Sequence, residues 1–140
     1  MSLTEINGDL FTSNDSLAHC VSKDFVMGKG IALILKSKFG KVQHLKSQDQ
    51  GIGGCAVIAN DDYFIYYLVT KEQYFHKPTY ETLHSSLVKM KEHAIANNVK
   101  AISMPRIGCG LDRLNWEKVK LIIQEAFKDT DIKITVYTLE

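Results

Sequence analysis

The 140-residue sequence predicts a single α/β domain of three layers built around a mixed sheet. Apolar, β-branched segments alternate along the chain with segments of helical period, which is the pattern of strand–helix–strand units. Two strand-like segments are adjacent in the middle of the chain, which makes the sheet mixed. The length suits one domain with a sizeable core, and no repeat, low-complexity tract or linker divides it.

The first half of the chain contains two strands and two helices. Residues 3–7 read as a short first strand, and residues 16–21 read as a buried strand. Glycines then open a helix that runs over residues 28–40 and ends at a glycine, and residues 41–48 form a second short helix. The side chains of the longer helix expected to face inward are Ile31, Ile34, Leu35 and Phe39.

The middle of the chain predicts a strand pair and a long helix. Residues 55–59 and 63–69 are strand-like, and the polar residues 60–62 join them as a turn. Leu83, Leu87, Met90 and Ala94 then recur at helical spacing. They predict a helix over residues 79–97, with Thr79 as its N-cap and two asparagines as its stop.

The last third predicts a strand, a loop, a helix and a strand. Residues 100–103 form a β-branched strand that leads into a loop with two glycines. A helix starts at Trp116 and carries its apolar side chains at helical spacing, and residues 132–138 alternate as a final strand.

Composition limits the classes of function. The formal net charge is +1, so no global field would recruit extended nucleic acid or an anionic membrane. No segment has the apolar length of a membrane helix, and the N-terminus lacks the features of a signal peptide. We therefore expect an intracellular protein, cytoplasmic or nuclear. The three cysteines and five histidines show no disulfide or zinc spacing, and we expect no metal and no cofactor.

Two glycine loops are the first candidates for a ligand site. Residues 27–30 precede a helix, and residues 106–112 follow a strand. Glycines let backbone amides approach a phosphate closely, and a helix N-terminus favours negative charge. Neither loop fits GxGxxG, and there is no Walker A motif, so a Rossmann dehydrogenase or a P-loop NTPase is disfavoured. The loops fit a diphosphate ligand.

Five residues could carry chemistry, and each has a plainer interpretation. Lys71 ends an apolar strand and is either a solvated cap or a nucleophile, with Lys77 as a competitor. Asp112 either favours the dipole of the following helix, pairs with a cation, or acts on a bound ligand. Asp9 either stabilises a turn or accepts a hydrogen bond from an amino group. Cys109 is better read as a small loop residue than as a nucleophile.

The motifs of the chain resemble the macrodomain family, and more specifically its terminal ADP-ribose protein glycohydrolase branch. The resemblance covers residues 8–139. The motifs that carry it are Gly8-Asp9-Leu10-Phe11, Ser16-Leu17-Ala18-His19-Cys20, Met27-Gly28-Lys29-Gly30-Ile31-Ala32, Lys38-Phe39-Gly40, Tyr66-Tyr67-Leu68-Val69-Thr70-Lys71, His76-Lys77-Pro78-Thr79-Tyr80-Glu81, Ser103-Met104-Pro105-Arg106-Ile107-Gly108-Cys109-Gly110-Leu111-Asp112-Arg113-Leu114 and Asp131-Ile132-Lys133-Ile134-Thr135-Val136-Tyr137-Thr138-Leu139.

The resemblance implies a three-layer α/β/α fold with a mixed, roughly six-stranded sheet that binds ADP-ribose. By this likeness Asp9 contacts the adenine amino group, Ser22 lies near the distal ribose, and Leu139 closes the adenine side. The glycine loops wrap the diphosphate and the distal ribose. The implied substrate-binding residues are Asp9, Leu10, Ser22, Met27, Gly28, Gly30, Ile31, Arg106, Ile107, Gly108, Cys109, Gly110, Leu111 and Leu139.

The resemblance also implies the catalytic residues Lys71 and Asp112. The lysine would displace an ester-linked Glu or Asp side chain from the distal ribose, and the aspartate would move the proton. Many catalytic macrodomains carry Asn-Ala-Ala-Asn after the second strand, where this chain has His19-Cys20-Val21-Ser22. That departure favours a protein nucleophile over a water placed by asparagine.

Several functions remain open from the sequence. The main hypothesis is a monomeric hydrolase of mono-ADP-ribosylated proteins that also deacylates O-acetyl-ADP-ribose. The alternatives are a hydrolase of ADP-ribosylated nucleic-acid bases, an ADP-ribose 1″-phosphatase and a reader that binds ADP-ribose without cleaving it. The implied partners are ADP-ribose and ADP-ribosylated proteins, with no membrane and no extended nucleic acid.

Overall fold

The computed structural model describes residues 1–110 and 112–139. The strands are β1 (Ser2–Asn7), β2 (Ser16–Ser22), β3 (Gly54–Asn60), β4 (Tyr63–Lys71), β5 (Ala101–Met104) and β6 (Lys133–Thr138). The helices are α1 (Gly30–Phe39), α2 (Val42–Ser47), α3 (Tyr80–Ala96) and α4 (Trp116–Phe127). Each predicted strand and helix is present, with ends shifted by no more than two residues. One short 3-10 turn, Leu10–Thr12, was not predicted from the sequence.

The strands form one mixed sheet in the order β1-β6-β5-β2-β4-β3. Every neighbouring pair is parallel except β3 with β4, which form the predicted hairpin. Consequently β1, β6, β5, β2 and β4 all end at the same edge of the sheet. In sheets of this kind, ligands bind at the carboxyl ends of the parallel strands. This edge therefore carries the candidate site.

Helices cover both faces of the sheet, which confirms the three-layer α/β prediction. On one face, α3 and α4 bury Leu87 and Phe127 against strand residues such as Tyr66. On the other face, α1 and α2 bury Leu35 and Leu45. Because both faces of β4 are covered, successive side chains along it enter the two cores alternately. The site thus lies on a sheet that is packed on both sides.

One predicted inward residue of α1 faces outward. Leu35 is fully buried, but Ile34 is 43% exposed. Ile31, Leu35 and Phe39 follow one another at intervals of four and line the buried stripe, since all three pack against the same core. Ile34 lies about 100° around the helix from Leu35, beyond the edge of that narrow stripe. The prediction that Ile34 faces inward was therefore wrong.

The predicted start of α3 is confirmed. Thr79 is its N-cap and forms a capping box with Thr82. Thr82 also donates its hydroxyl to the carbonyl oxygen of Thr70 at 2.8 Å, which ties the helix start to the end of β4.

Among the described helices, none combines the length and apolar character needed to cross a membrane.

Candidate active site

A cleft of about 820 Å³ lies at the carboxyl ends of β2, β4 and β5. The first glycine loop forms one wall and the second forms another. The segment that follows β4, residues 72–78, closes the third side. The residues that line the cleft include His19, Cys20, Ser22, Met27, Gly28, Gly30, Ile31, Lys71, Tyr74, Phe75, Lys77, Arg106, Ile107, Gly108, Gly110 and Asp112.

Lys71 and Asp112 meet in this cleft. The Lys71 Nζ donates to Asp112 Oδ1 at 2.5 Å, although 41 residues separate the two along the chain. Their side chains are only 12% and 16% exposed. A pair so withdrawn from water has a fixed geometry, whereas an exposed pair contributes little and is screened by salt. The plain interpretation of Lys71 as a solvated strand cap does not fit this burial.

The sheet fixes the position of Lys71. It is the last residue of β4, and its register partner on β2 is Ser22, across an irregularity between Val21 and Ser22. The backbone N–H of Lys23 donates to the Lys71 carbonyl oxygen at 2.9 Å. The extra residue at such a bulge changes the direction of a side chain at the end of a ladder. Lys71 and Ser22 are thereby brought into the same cleft.

The second glycine loop positions Asp112. The backbone N–H of Leu114 donates to the Gly108 carbonyl oxygen at 2.7 Å and closes the loop. Gly108 has φ +73°, and a Cβ there would lie 2.9 Å from Leu114 Cδ1. A left-handed backbone beside a packed side chain requires glycine at this position. The tight closure holds Asp112 against Lys71.

The first glycine loop presents an uncapped helix end to the cleft. The N-cap residue of α1, Lys29, makes no side-chain capping hydrogen bond. The N–H groups of the first turn of a helix have no partner within the helix. Together with the helix dipole, they form a site that favours an anion such as a phosphate. This agrees with the diphosphate predicted from the glycines.

Arg106 is held from outside the cleft. Its guanidinium pairs with Glu5 of β1 at 3.4 Å and lies over the Trp116 ring at 5.5 Å. Lys120 also pairs with Glu5, at 2.9 Å. The Lys120 hydrogen bond, reinforced by Trp116 and Arg106, holds the pKa of Glu5 below its usual value despite partial burial. These contacts anchor the start of the second glycine loop to the first strand.

The structure brings most of the predicted binding residues into the cleft. They are Ser22, Met27, Gly28, Gly30, Ile31, Arg106, Ile107, Gly108 and Gly110. Cys109 belongs to the same loop, but its thiol donates to the Ile107 carbonyl oxygen at 3.3 Å and packs toward the core. Leu111 lies outside the described residues.

Three predicted residues lie further along the same sheet edge. Asp9 accepts the N–H of Phe11 at 3.0 Å and caps the turn after β1, while Leu10 is buried beneath it. Leu139 follows β6 and is exposed. Gly8 donates to the Thr138 carbonyl oxygen at 2.9 Å, so these two chain segments are adjacent. The four strand spacings from β1 to β4 span roughly 19 Å, which suits an extended dinucleotide-sized ligand.

Three further residues at this cleft were not predicted from the sequence. Asp24 accepts hydrogen bonds from Ser22 and from the backbone N–H of Tyr74. Tyr74 and Phe75 line the cleft on the segment after Lys71, and Phe75 is 68% exposed. An aromatic pair three and four residues after a candidate lysine is a signal that the sequence did contain. The contacts of Asp24 could not be read from spacing.

Cys20, Cys109 and His19 are poorly suited to nucleophilic chemistry. Burial raises the pKa of the Cys20 thiol, and the Asp112 charge adds to that effect. Burial also raises the pKa of Cys109, against the opposing influence of Arg106. A thiol with a raised pKa is rarely a thiolate and reacts poorly. Burial lowers the pKa of His19 to about 3, so its ring is a weak base.

The cleft thus combines a helix N-terminus suited to an anion, a second glycine loop and a lysine–aspartate pair that is largely shielded from solvent. No group of three His, Cys, Asp or Glu residues within residues 1–110 and 112–139 is arranged to hold a metal ion. Lys77 also lines the cleft, but it is exposed. The arrangement is suited to binding a phosphorylated ligand and presenting an amine and a carboxylate to one end of it.

The fold and the cleft define a member of the macro domain family. The family model described as Macro domain matches residues 18–123, so the chain belongs to that family. It is 56% identical over 139 residues to the Homo sapiens protein named ADP-ribose glycohydrolase OARD1, covering 98% of this chain and 91% of that protein.

Solved structures share the architecture. The macrodomain of Thermus aquaticus DarG has a TM-score of 0.86 at 26% identity and covers 97% of each chain. The structure of Thermosipho africanus DarTG in complex with ADP-ribose has a TM-score of 0.86 at 22% identity. It covers 99% of this chain and 42% of the other, and it supports the fold alone. The expected macrodomain fold is confirmed.

Proposed function

We propose that this protein is an ADP-ribose glycohydrolase that removes single ADP-ribose units from Glu and Asp side chains of proteins. The main observation behind the proposal is the ion pair of Lys71 and Asp112, which is largely shielded from solvent in the cleft formed with the two glycine loops. The Homo sapiens relative is named as an ADP-ribose glycohydrolase and is 56% identical over 139 residues. This similarity supports the same activity for the present protein.

Substrate binding follows from the cleft. The N–H groups at the start of α1 and in the second glycine loop bind the diphosphate, since both present donors to an anion. Ser22 lies beside the distal ribose. Asp9 accepts a hydrogen bond from the adenine amino group, with Leu10 and Leu139 beside the ring. This orientation places the anomeric carbon of the distal ribose near Lys71.

The chemistry begins with a proton transfer. Lys71 Nζ donates a hydrogen bond to Asp112, and a proton must leave Nζ before the nitrogen can attack. Asp112 Oδ1 lies 2.5 Å from Nζ and accepts that proton. The neutral nitrogen then forms a bond to the anomeric carbon as the carbon–oxygen bond to the Glu or Asp carboxylate breaks. The carboxylate leaves with the bonding electrons and is a stable anion.

The second step releases ADP-ribose and restores the enzyme. Asp112 acts as the proton carrier while water adds to the anomeric carbon and the carbon–nitrogen bond breaks. A covalent intermediate divides one difficult displacement into two easier ones, and a positioned carboxylate contributes on the order of 10²–10⁴-fold by proton transfer. The same route removes the acyl group of O-acetyl-ADP-ribose by displacing acetate when the ester is at the anomeric carbon.

The test measures release of ADP-ribose from a protein that carries single Glu- or Asp-linked units. Wild type should clear the label, while Lys71→Ala and Asp112→Ala should fail by more than about 100-fold and still bind ADP-ribose. Lys23→Ala is the matched control, because Lys23 is an exposed lysine that directly follows β2 and whose backbone N–H donates to the Lys71 carbonyl oxygen.

Other outcomes would redirect the proposal. Loss of activity in Lys77→Ala with full activity in Lys71→Ala would move the nucleophile to Lys77. Binding by wild type without release would identify a reader, or an enzyme for another linkage such as an ADP-ribosylated base. Mass spectrometry of wild type quenched during turnover should detect ADP-ribose covalently attached to the peptide that contains Lys71, and Lys71→Ala should show no such adduct.

A further inference from the structure

Asp24 connects three segments that surround the cleft. Its Oδ1 accepts the Ser22 hydroxyl at 2.5 Å and the backbone N–H of Val26 at 3.2 Å. Its Oδ2 accepts the backbone N–H of Tyr74 at 3.0 Å. One carboxylate therefore joins the end of β2, the approach to the first glycine loop and the segment after Lys71. None of these contacts is part of the chemistry proposed above.

The backbone around Asp24 is strained, so its contacts have a stabilising role there. Phe25 and Met27 both adopt left-handed backbone conformations, with φ values of 52° and 49°. Such conformations are unfavourable for residues other than glycine and persist only where neighbouring contacts hold them. The Asp24 acceptor contacts and the burial of Phe25 hold this turn beside the cleft.

The contact with Asp24 decides what the Ser22 hydroxyl can do. A serine hydroxyl has one hydrogen and two acceptor lone pairs. Because its hydrogen is directed to the Asp24 carboxylate, Ser22 presents only acceptor capacity to the cleft. Charge-assisted hydrogen bonds of this kind are stronger than neutral ones, so the orientation is well determined. Ser22 is suited to accept a hydrogen bond from a ligand hydroxyl and unsuited to donate one.

The Asp24 carboxyl group is ionised at neutral pH. Burial by itself raises the pKa of its carboxyl group. The hydrogen bonds from Ser22, Tyr74 and Val26 and the charge of Lys71 outweigh burial and hold the pKa below its usual value. The carboxylate is therefore available as an acceptor at neutral pH.

We propose that Asp24 is a positioning residue, which acts through Ser22 by fixing its hydroxyl as the acceptor for a hydroxyl group of the distal ribose. This inference rests on the proposed glycohydrolase activity. A ribose held in this way presents its anomeric carbon to Lys71, the register partner of Ser22. Small errors in the placement of reacting atoms reduce the rate strongly, so the effect falls on kcat rather than on KM.

Asp24→Asn and Ser22→Ala, singly and together, test this inference in the ADP-ribose release assay. The introduced asparagine keeps an oxygen that can accept from Tyr74, but its amide group competes with the ribose for the lone pairs of Ser22. Each single variant should lower kcat at least about tenfold and change KM less than about threefold. The double variant should be no more than about threefold slower than the slower single variant, because the two substitutions remove the same interaction.

Asp62→Asn is the control, since Asp62 is an exposed aspartate at the opposite end of β4 and should retain full activity. The inference is overturned if Asp24→Asn matches wild type or if the two single effects multiply in the double variant. It is also overturned if KM rises while kcat is unchanged. Absence of release by wild type would overturn the proposed function, and this inference with it.

Discussion

Replacing Gly108 by alanine should destabilise the protein and displace Asp112. Gly108 has φ +73°, and the added Cβ would lie 2.9 Å from Leu114 Cδ1 and 3.5 Å from its Cγ. A left-handed conformation costs an alanine about 1–2 kcal/mol, and relief of the contact adds to this because the Leu114 side chain must move. The expected loss in the free energy of unfolding is about 2 kcal/mol.

The assay is urea unfolding followed by the fluorescence of Trp116, the single tryptophan of the chain. Gly110→Ala is the matched control, because its φ is not positive and an added Cβ would meet no atom within 4 Å among the described residues. That control should change the free energy of unfolding by less than about 0.5 kcal/mol.

The same Gly108 variant should also release ADP-ribose more slowly, since the loop that it distorts carries Asp112. Two results would refute the reasoning. One is a Gly108→Ala protein as stable as wild type. The other is a Gly110→Ala protein that loses as much stability as Gly108→Ala, because the effect would then not depend on the left-handed backbone.

Three further predictions concern stability. Burial lowers the pKa of His19 in the folded protein to about 3, whereas in the unfolded chain this pKa has its ordinary value of about 6.5. Between these two pH values the unfolded chain therefore binds a proton that the folded protein does not. The free energy of unfolding should thus fall as the pH drops below about 6.5, by up to about 1.4 kcal/mol per pH unit. Urea titrations at successive pH values should show a weaker dependence of this free energy on pH for His19→Gln. Leu87→Ala empties part of a fully buried site and should cost about 2–5 kcal/mol in chemical unfolding, whereas Leu121→Ala on an exposed site should cost less than about 0.5 kcal/mol. Thr79→Ala removes the capping box of α3 and should lower the free energy of unfolding by about 1 kcal/mol; a thermal midpoint equal to that of wild type would contradict the capping role.

Much of the fold could be predicted because its signals are local. Helical spacing marked α3 and α4, and the glycines marked the start of α1 and both site loops. The error at Ile34 shows the limit of such signals. Its apolar character suggests burial, but the width of the buried stripe depends on how α1 lies on the sheet, which the sequence of the helix does not contain.

The site could be predicted in part. The glycine loops and the candidate residues Lys71 and Asp112 were recognisable from motifs, and the structure brings those two residues together. Asp24 was not recognisable, because its partners Ser22 and Tyr74 become neighbours only when the segments after β2 and β4 meet. A carboxylate near the end of a strand carries no local mark of what it will contact.

By itself the sequence determined the order of the elements, the family and the positions where glycine is needed, since these depend on residue type and short-range spacing. The burial of the Lys71–Asp112 pair was decided only by the tertiary structure. Parallel strands from distant parts of the chain end at one edge of the sheet, and the packing of two loops there shields most of the pair from water. The same lysine at the end of an exposed strand would be an ordinary solvated charge.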